Sequence, residues 1–333
     1  MTLAVAVAHP NIALAKYWGK RDKGRNVPSV PSLSVTLAGM STTTRVELAE
    51  RDSLVLNGRE SDGRPAERAF ALLELLWLEA GKSGARPRAS VSSRNDFPTA
   101  AGLASSASAF AALAVAADRA LATALPTERL SSLARRISAS SGRSLYGGFV
   151  ELAAGEPESE FLPARPVAPA DYWDLRLVVA VTSEGAKDVG STEGMNLTTE
   201  TSPLYGGWLA AAPAIFERIK RAVLDRDIEA LGPAVEASAL TMHATALSAC
   251  PGILYWNGTT VDVMHAVRRM RQGGLPAYFT MDAGPHVKVV TLASHAEQVA
   301  LALRAIPGVL RTIMAQPGGG AHVLEGPQSE PTP

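Results

Sequence analysis

Cysteine is nearly absent from this chain. Cys250 stands alone among 333 residues, which excludes an internal disulfide and any metal site built from several thiolates. A chain without disulfides suits a reducing compartment, and the expectation is a cytoplasmic protein. An excess of charge is missing as well. Lys and Arg total 32 and Asp and Glu total 32, so no global field favours nucleic acid or a membrane surface, and a cation that matters must act inside a site. Long apolar runs are scarce. The longest, around residues 107–125, contains Asp118 and Arg119 and reads as a buried helix, not a membrane span. The apolar start "MTLAVAVAHPNIALAKYWGK" lacks a basic leading segment and is interrupted by His9-Pro10, which makes a poor signal peptide. Neither a G-x-x-x-x-G-K-[ST] phosphate loop nor a G-x-G-x-x-G after a strand occurs, which excludes a standard P-loop NTPase and argues against a dinucleotide fold.

What is present reads as a folded α+β chain. "LAVAVA", "SLSVTL", "TTTRVELA" and "SLVLNG" are short, β-rich segments separated by turn residues, and Asn57-Gly58 is a tight-turn signal. Residues 65–80 have helical spacing and stop at Gly81; "RASVSS" returns to strand. A helix is expected from Ser105 or Ser106 to about Leu125, broken by Pro126, with Thr127 capping the next. "YGGFVEL" and "LRLVVAVTS" read as strands, followed by long helices near 203–225, 227–249 and 259–273. A strand pair in "AYFTMDAG" and "HVKVVTLA", a helix at 294–305 and a strand near "RTIMAQP" complete the pattern. The expectation is two lobes, 1–185 and 186–325, with a disordered tail at 326–333.

Four stretches have the composition of an anion site. "NDFPTAAGLASSASAF" packs Gly, Ala and Ser before a helix, whose unpaired N–H groups and partial positive charge attract phosphate; close helix packing explains the small residues equally well. "NIALAKYWGKRD" sets Lys16 and Lys20 around Tyr17 and Trp18, either as a polyanion clamp or as a surface lysine pair. "SASSGRSLYGG" surrounds Arg143 with hydroxyls, which suits a carboxylate or phosphate, or a helix end with a structural arginine. "FTMDAGPHVKV" puts Asp282 just past a strand, where it reaches a cleft or merely closes a turn. His243 in "TMHAT", Trp77 and Trp173 read as packed structural residues.

Together these stretches, with "PSLSVTL", "LVLNGRE", "RSLYGGFVEL" and "GSTEGM", resemble the mevalonate diphosphate decarboxylases of the GHMP kinase superfamily, in order and over nearly the whole chain. The resemblance implies a two-lobed GHMP kinase fold, with an N-terminal ribosomal-protein-S5-like lobe, a C-terminal ferredoxin-like lobe and the active site between them. It implies Mg²⁺ and ATP, and phosphorylation then decarboxylation of mevalonate 5-diphosphate to isopentenyl diphosphate. By position, Asp282, Lys16 and Arg143 take the catalytic roles. Tyr17, Trp18, Gly19, Lys20, Arg68, Ser138, Ala139, Ser140, Ser141, Gly142, Ser191 and Thr192 take the substrate, and Ala101, Gly102, Leu103, Ala104, Ser105 and Ser106 take the ATP phosphates. No nucleic acid or membrane partner is implied, and a homodimer is. Three departures stand out: Val30-Pro31-Ser32 in place of an asparagine-bearing segment, side chains at Ile137 and Ala139 in a loop that is commonly glycine-rich, and His286 in place of asparagine. They leave open a monophosphate decarboxylase, a 3-kinase, or a silent ligand-binding relative.

Overall fold

The computed structural model describes residues 3–97, 105–185 and 188–325. Ala101, Gly102, Leu103 and Ala104, with the tail at 326–333, lie outside the described residues. The first lobe runs β1 (Leu3–Ala8), β2 (Asn11–Ala15), β3 (Lys20–Asp22), β4 (Val27–Pro28), β5 (Ser32–Ala38), β6 (Thr42–Leu48), β7 (Ser53–Leu56), β8 (Arg59–Glu60), α1 (Arg64–Glu79) and β9 (Ala89–Asn95). It continues with α2 (Ser105–Ala120), α3 (Thr127–Ile137), the short α4 (Ser141–Ser144), β10 (Phe149–Leu152) and β11 (Arg165–Ala168). After β12 (Leu175–Val181) come α5 (Ser191–Thr201), α6 (Tyr205–Asp225), α7 (Ile228–Leu247), α8 (Gly258–Gln272), β13 (Tyr278–Met281), β14 (Val287–Leu292), α9 (Ala296–Arg304), β15 (Arg311–Pro317) and β16 (His322–Val323).

One sheet has the order β16-β1-β6-β9-β7-β8. Leu72, Leu73 and Leu76 of α1, the alanines of α2 and Leu130 and Leu133 of α3 are buried with Val46 and Val91 of this sheet. At its edge Asn57 (φ 50°) and Gly58 (φ 79°) both take left-handed backbone, the two-residue turn that brings Leu56 opposite Arg59. The larger sheet has the order β11-β10-β5-β15-β12-β14-β13, with β2 added on β5. Alternation along β12 serves two cores. Leu175, Leu177, Val179 and Val181 pack with Ile215, Phe216 and Ile219 of α6 and Val235 of α7, whereas Val178 and Ala180 pack with Val263 and Val267 of α8 and Val299 and Leu303 of α9.

The lobes share hydrogen bonds as well as a cleft. Gln316 and Pro317 of β15 pair with Ala38 and Leu37 of β5, and β16 returns to β1 at Ala6 and Val7. Among the described residues β12 pairs only with β14 and β15. The result is a two-lobed α+β fold, as expected.

Two sequence expectations need correction. α2 ends at Ala120, five residues before Leu125. The Asp118 carbonyl accepts from Thr123 N and the Arg119 carbonyl from Ala122 N, a helix-ending pair of bonds with Ala122 left-handed at φ 50°. The Asp118 carboxylate then accepts from Thr123 Oγ1 (2.7 Å) and Leu125 N (2.9 Å) and holds the turn. Thr127 is not a cap either. Pro126 occupies that position, and no side chain caps α3, so Thr127 is its first helical residue.

Candidate active site

The chain brings its chemistry to the junction of the lobes by ending strands there. β2 pairs with β5 through an irregularity between Ala13 and Ala15, and Lys16 follows directly. Lys16 is buried. Its Nζ donates to Ala13 O at 2.9 Å and to Asp282 Oδ1 at 2.6 Å. Asp282 sits one residue past β13, and its other oxygen, Oδ2, lies 3.2 Å from Nζ of Lys288, which is fully buried on β14 opposite Thr280. Burial by itself would raise the Asp282 carboxyl, but Lys16 and then Lys288 outweigh it and hold the group below the ordinary carboxylate range. Burial pulls Lys16 down despite its partner, with Lys288 and Arg143 adding repulsion.

Arg143 completes this end. It is 2 % exposed, and its guanidinium donates to Ser34 Oγ (2.9 Å), Ser32 Oγ (2.8 Å) and Asn11 Oδ1 (3.3 Å), all neutral acceptors. Asn11 is held in turn by donating to Ser144 Oγ and Ser140 O. Among the described residues no carboxylate pairs with Arg143. Burial lowers it to about 10, a desolvated cation whose own environment offers Tyr17 and Asp282 at a distance rather than in contact. Three buried cations therefore surround one carboxylate, and the surplus positive charge fits an incoming anion.

A second cationic group lies elsewhere in the same cavity. Lys20 on β3, Arg68 on α1 and Arg64 at the start of α1 all line it, and burial followed by repulsion from Arg68 and Arg64 lowers Lys20 to about 8. Arg68 is anchored by donating to Ile137 O at 2.8 Å and stacks on Phe110 with its guanidinium carbon 4.6 Å from the ring centroid. Such a cluster binds a polyanion and pays for it in free energy until the anion arrives. The lowered value sets a sign for pH. Between pH 8 and 10.5 the unfolded chain holds the Lys20 proton that the fold has lost, so the free protein gains stability from this group as pH rises. The affinity for a polyanion falls over the same window. Binding of a small organic diphosphate, measured by calorimetry from pH 7 upward, is expected to weaken above about 8; a flat profile would contradict this.

The cavity measures about 630 Å³. It is lined by Lys16, Tyr17, Trp18, Lys20, Arg68, Ser138, Ala139, Ser140, Arg143, Ser191, Thr192 and Asp282, and by Ser105 and Ser106 at the described start of α2. Ser191 and Thr192 open α5, whose N-terminal end thus also meets the cavity. Three expected substrate residues are placed otherwise. Ser141 turns its hydroxyl to the carbonyls of Ala134 (2.8 Å) and Ser138 (2.6 Å) and holds the loop to α3. Gly142 packs so closely that a Cβ there would lie 2.9 Å from Ser131 O. Gly19 (φ +96°) faces Tyr205, whose hydroxyl would be 2.0 Å from an added Cβ. All three shape the segments that bear the cavity residues. Ile137 and Ala139 do line the cavity, as their bulk in the loop suggests.

Trp18 lines the cavity and is also packed, with its carbonyl accepting from Trp208 Nε1 at 2.9 Å. Trp173 is a core residue; Trp77 is only partly buried and donates to Gly84 O at 3.1 Å. His243 is enclosed by Tyr255 and Trp256, and burial lowers it to about 3, so it is neutral. His286 accepts from Thr182 N at 3.3 Å and is buried, which with repulsion from Lys288 keeps it neutral. Asn11, Arg64 and Lys288 are site residues that reading the sequence passed over.

The fold and this cavity define a class: a two-lobed α+β protein with a polycationic cavity at the junction of its lobes, built to take a small acidic molecule. The comparisons narrow it. Residues 8–162 match the family model of the diphosphomevalonate decarboxylase-like N-terminal domain, and residues 177–317 that of the mevalonate 5-diphosphate decarboxylase C-terminal domain. The chain is 38 % identical to the diphosphomevalonate decarboxylase of Candida albicans, covering 87 % of this chain and 84 % of that one. It superposes on mevalonate diphosphate decarboxylase from Staphylococcus aureus with a TM-score of 0.91 at 37 % identity, covering 97 % and 98 % of the two chains. A further structure, MDDEF in complex with MVAPP, AMPPCP and magnesium, matches with a TM-score of 0.89 at 37 % identity over 98 % and 99 %. The chain belongs to the diphosphomevalonate decarboxylase family.

Proposed function

We propose that this protein catalyses the ATP-dependent decarboxylation of (R)-mevalonate 5-diphosphate to isopentenyl diphosphate, a step of the mevalonate pathway of isoprenoid biosynthesis. One observation carries the reading. A single cavity is lined by two separate cationic groups, Arg143 with Lys16 beside Asp282, which Lys288 backs from outside the lining, and Lys20 with Arg64 and Arg68. A substrate with a carboxylate and a 3-hydroxyl toward one end and a diphosphate at the other matches both. Three cations at the second group favour a diphosphate over a monophosphate. Asp282, ion-paired and lining the cavity, argues against a silent ligand-binding relative.

The remaining walls fit ATP and Mg²⁺. Leu54, Leu56, Val91 and Leu113 form an apolar face for a base, and the hydroxyls of Ser105 and Ser106 stand at a helix N-terminus where phosphates bind. Among the described residues no group of three His, Cys, Asp or Glu side chains could hold a metal. A hydroxyl-rich donor set suits Mg²⁺, which keeps waters and takes phosphate oxygens. Bound Mg-ATP supplies the phosphoryl group, with the metal neutralising phosphate charge.

The protein's own residues do the rest. Asp282 orients the 3-hydroxyl toward the phosphorus and accepts its proton. Because two ammoniums make it a weak base, that proton moves late, after most of the bond to the leaving ADP has broken, as a loose transition state allows. Lys16 faces the charge that gathers on the oxygen being phosphorylated. Phosphorylation turns hydroxide, a poor leaving group, into phosphate. The C3–O bond then breaks, phosphate departs, and the electron pair of the bond between the carboxylate carbon and C2 becomes the C2–C3 double bond as carbon dioxide leaves. Arg143 grips the carboxylate until that moment.

Residues 1–185 carry the phosphate loop and substrate segment in this reading, and residues 186–325 deliver Asp282. No helix among the described residues is long and apolar enough to cross a membrane. A cytoplasmic homodimer is part of the proposal. Turnover of Mg-ATP with mevalonate, its 5-phosphate and its 5-diphosphate, followed for ADP and carbon dioxide in one tube, tests it; a preference for the monophosphate would overturn the substrate.

A further inference from the structure

We infer that Lys288 is a positioning residue for the reaction: it holds Asp282 as an oriented anion from behind, so that Lys16 is free to follow the transferring phosphoryl group. The inference deepens the proposed reaction and rests on it for its kinetic consequences, but its geometry stands in the free protein.

The two oxygens of Asp282 are engaged by different lysines, Oδ1 by Lys16 at 2.6 Å and Oδ2 by Lys288 at 3.2 Å. A hydrogen bond at Oδ1 and a charge contact at Oδ2 restrict the rotation of the carboxylate and bias its lone pairs toward the cavity. The lysines are not equivalent. Lys16 lines the cavity and can move toward substrate, whereas Lys288 is 0 % exposed, does not line it, and sits on a strand paired on both sides. An ammonium so placed has no route to substrate. Its effect must pass through Asp282.

The need for it follows from the charge around the site. Lys16 has to serve two anions in turn, Asp282 in the free enzyme and the phosphoryl oxygens during transfer. Without a second cation, Asp282 would be a buried carboxylate losing its only contacting ammonium at the step in which it must act, and it would take up a proton instead. Lys288 keeps the charge balanced. Among the described residues, the titratable groups that act on it or on its partner are Asp282 just past β13, Lys16 from the segment after β2, His243 from α7 and His286 from the turn before its own strand. Both histidines are held neutral by burial, so Lys288 has Asp282 as its anion and Lys16 as a repelling neighbour.

That repulsion gives a readout independent of catalysis. In ligand-free protein with carbon-13 at the lysine ε positions, Lys16 is expected to titrate below the ordinary lysine range, and about one unit higher in Lys288→Met, where the repulsion is gone and Asp282 belongs to Lys16 alone. In turnover, Lys288→Met is expected to lower kcat by about 10²-fold, the scale of a misplaced catalytic group, with KM for the diphosphate substrate unchanged. Lys288→Arg, which restores the charge, should recover part of the kcat. If Lys288→Met does not fold, Lys288→Gln, a neutral donor to Oδ2, carries the same test. Lys16 titrating at the same pH in wild type and variant would overturn the inference. So would a rise in KM with kcat preserved, which would place Lys288 on substrate. A wild-type protein that turns nothing over defeats the proposed reaction, and the titration still decides the role of Lys288 on Asp282.

Discussion

Asp282→Asn is expected to lower kcat by about 10³–10⁴-fold, near the upper range for a residue that both orients a hydroxyl and takes its proton. The amide keeps the shape and can still accept from Lys16, so substrate binding should survive while chemistry does not. The substitution leaves Lys16 and Lys288 buried without their anion, which in general costs about 3–5 kcal/mol when neither partner can adjust. Here Lys16 is already pulled toward its neutral form by burial, and loss of Asp282 pushes it further that way. The protein is therefore expected to fold, with stability that increases as pH is raised through the lowered Lys16 titration, because the unfolded chain still holds that proton. Steady-state kinetics and thermal unfolding at several pH values check both parts. A variant with more than about a tenth of wild-type kcat would remove Asp282 from the chemistry.

The second large effect concerns Arg143. Arg143→Gln is expected to lower kcat/KM by about 10²–10³-fold, the scale of losing a buried, charge-assisted grip on a carboxylate. Its effect on the free protein should be the reverse of what burial suggests. Arg143 makes its bonds to Ser32, Ser34 and Asn11, all neutral, and burial already disfavours its charge. Replacing it with a neutral amide removes a desolvated cation from among Lys16 and Lys288, so thermal stability without ligand is expected to hold or rise. Added substrate should then raise the melting temperature less than it does in wild type. A variant that loses stability and keeps full kcat/KM would make Arg143 a structural arginine.

Much of this site is legible in the sequence because its residues sit in short, chemically crowded segments. "KYWGK", "SSGRS" and "MDAG" concentrate cations, hydroxyls and a carboxylate where strands end and helices begin. Lys288 was not legible for a definite reason. In "HVKVVTLA" a lysine between valines reads as the polar face of an alternating strand. β14 is instead buried on both faces between β12 and β13, so that lysine had to find a carboxylate inside. Arg64 precedes Pro65 at a helix start, a position that predicts an exposed residue, and exposed it is; only the fold brings it beside Lys20 at the cavity. The early end of α2 was hidden because no glycine marks it: Ala122 takes the left-handed backbone and Asp118 fastens the turn. The pairing of β15 with β5, which makes one sheet of both lobes, joins residues far apart in the chain, and no local pattern announces it.

The most direct test of the account is the coupling of phosphoryl transfer to carbon loss. Purified protein with Mg-ATP and mevalonate 5-diphosphate should release ADP and carbon dioxide in equal amounts, faster than with the monophosphate or with mevalonate. ADP without carbon dioxide would show a kinase that stops at phosphorylation, and neither product from any of the three would contradict the assignment altogether.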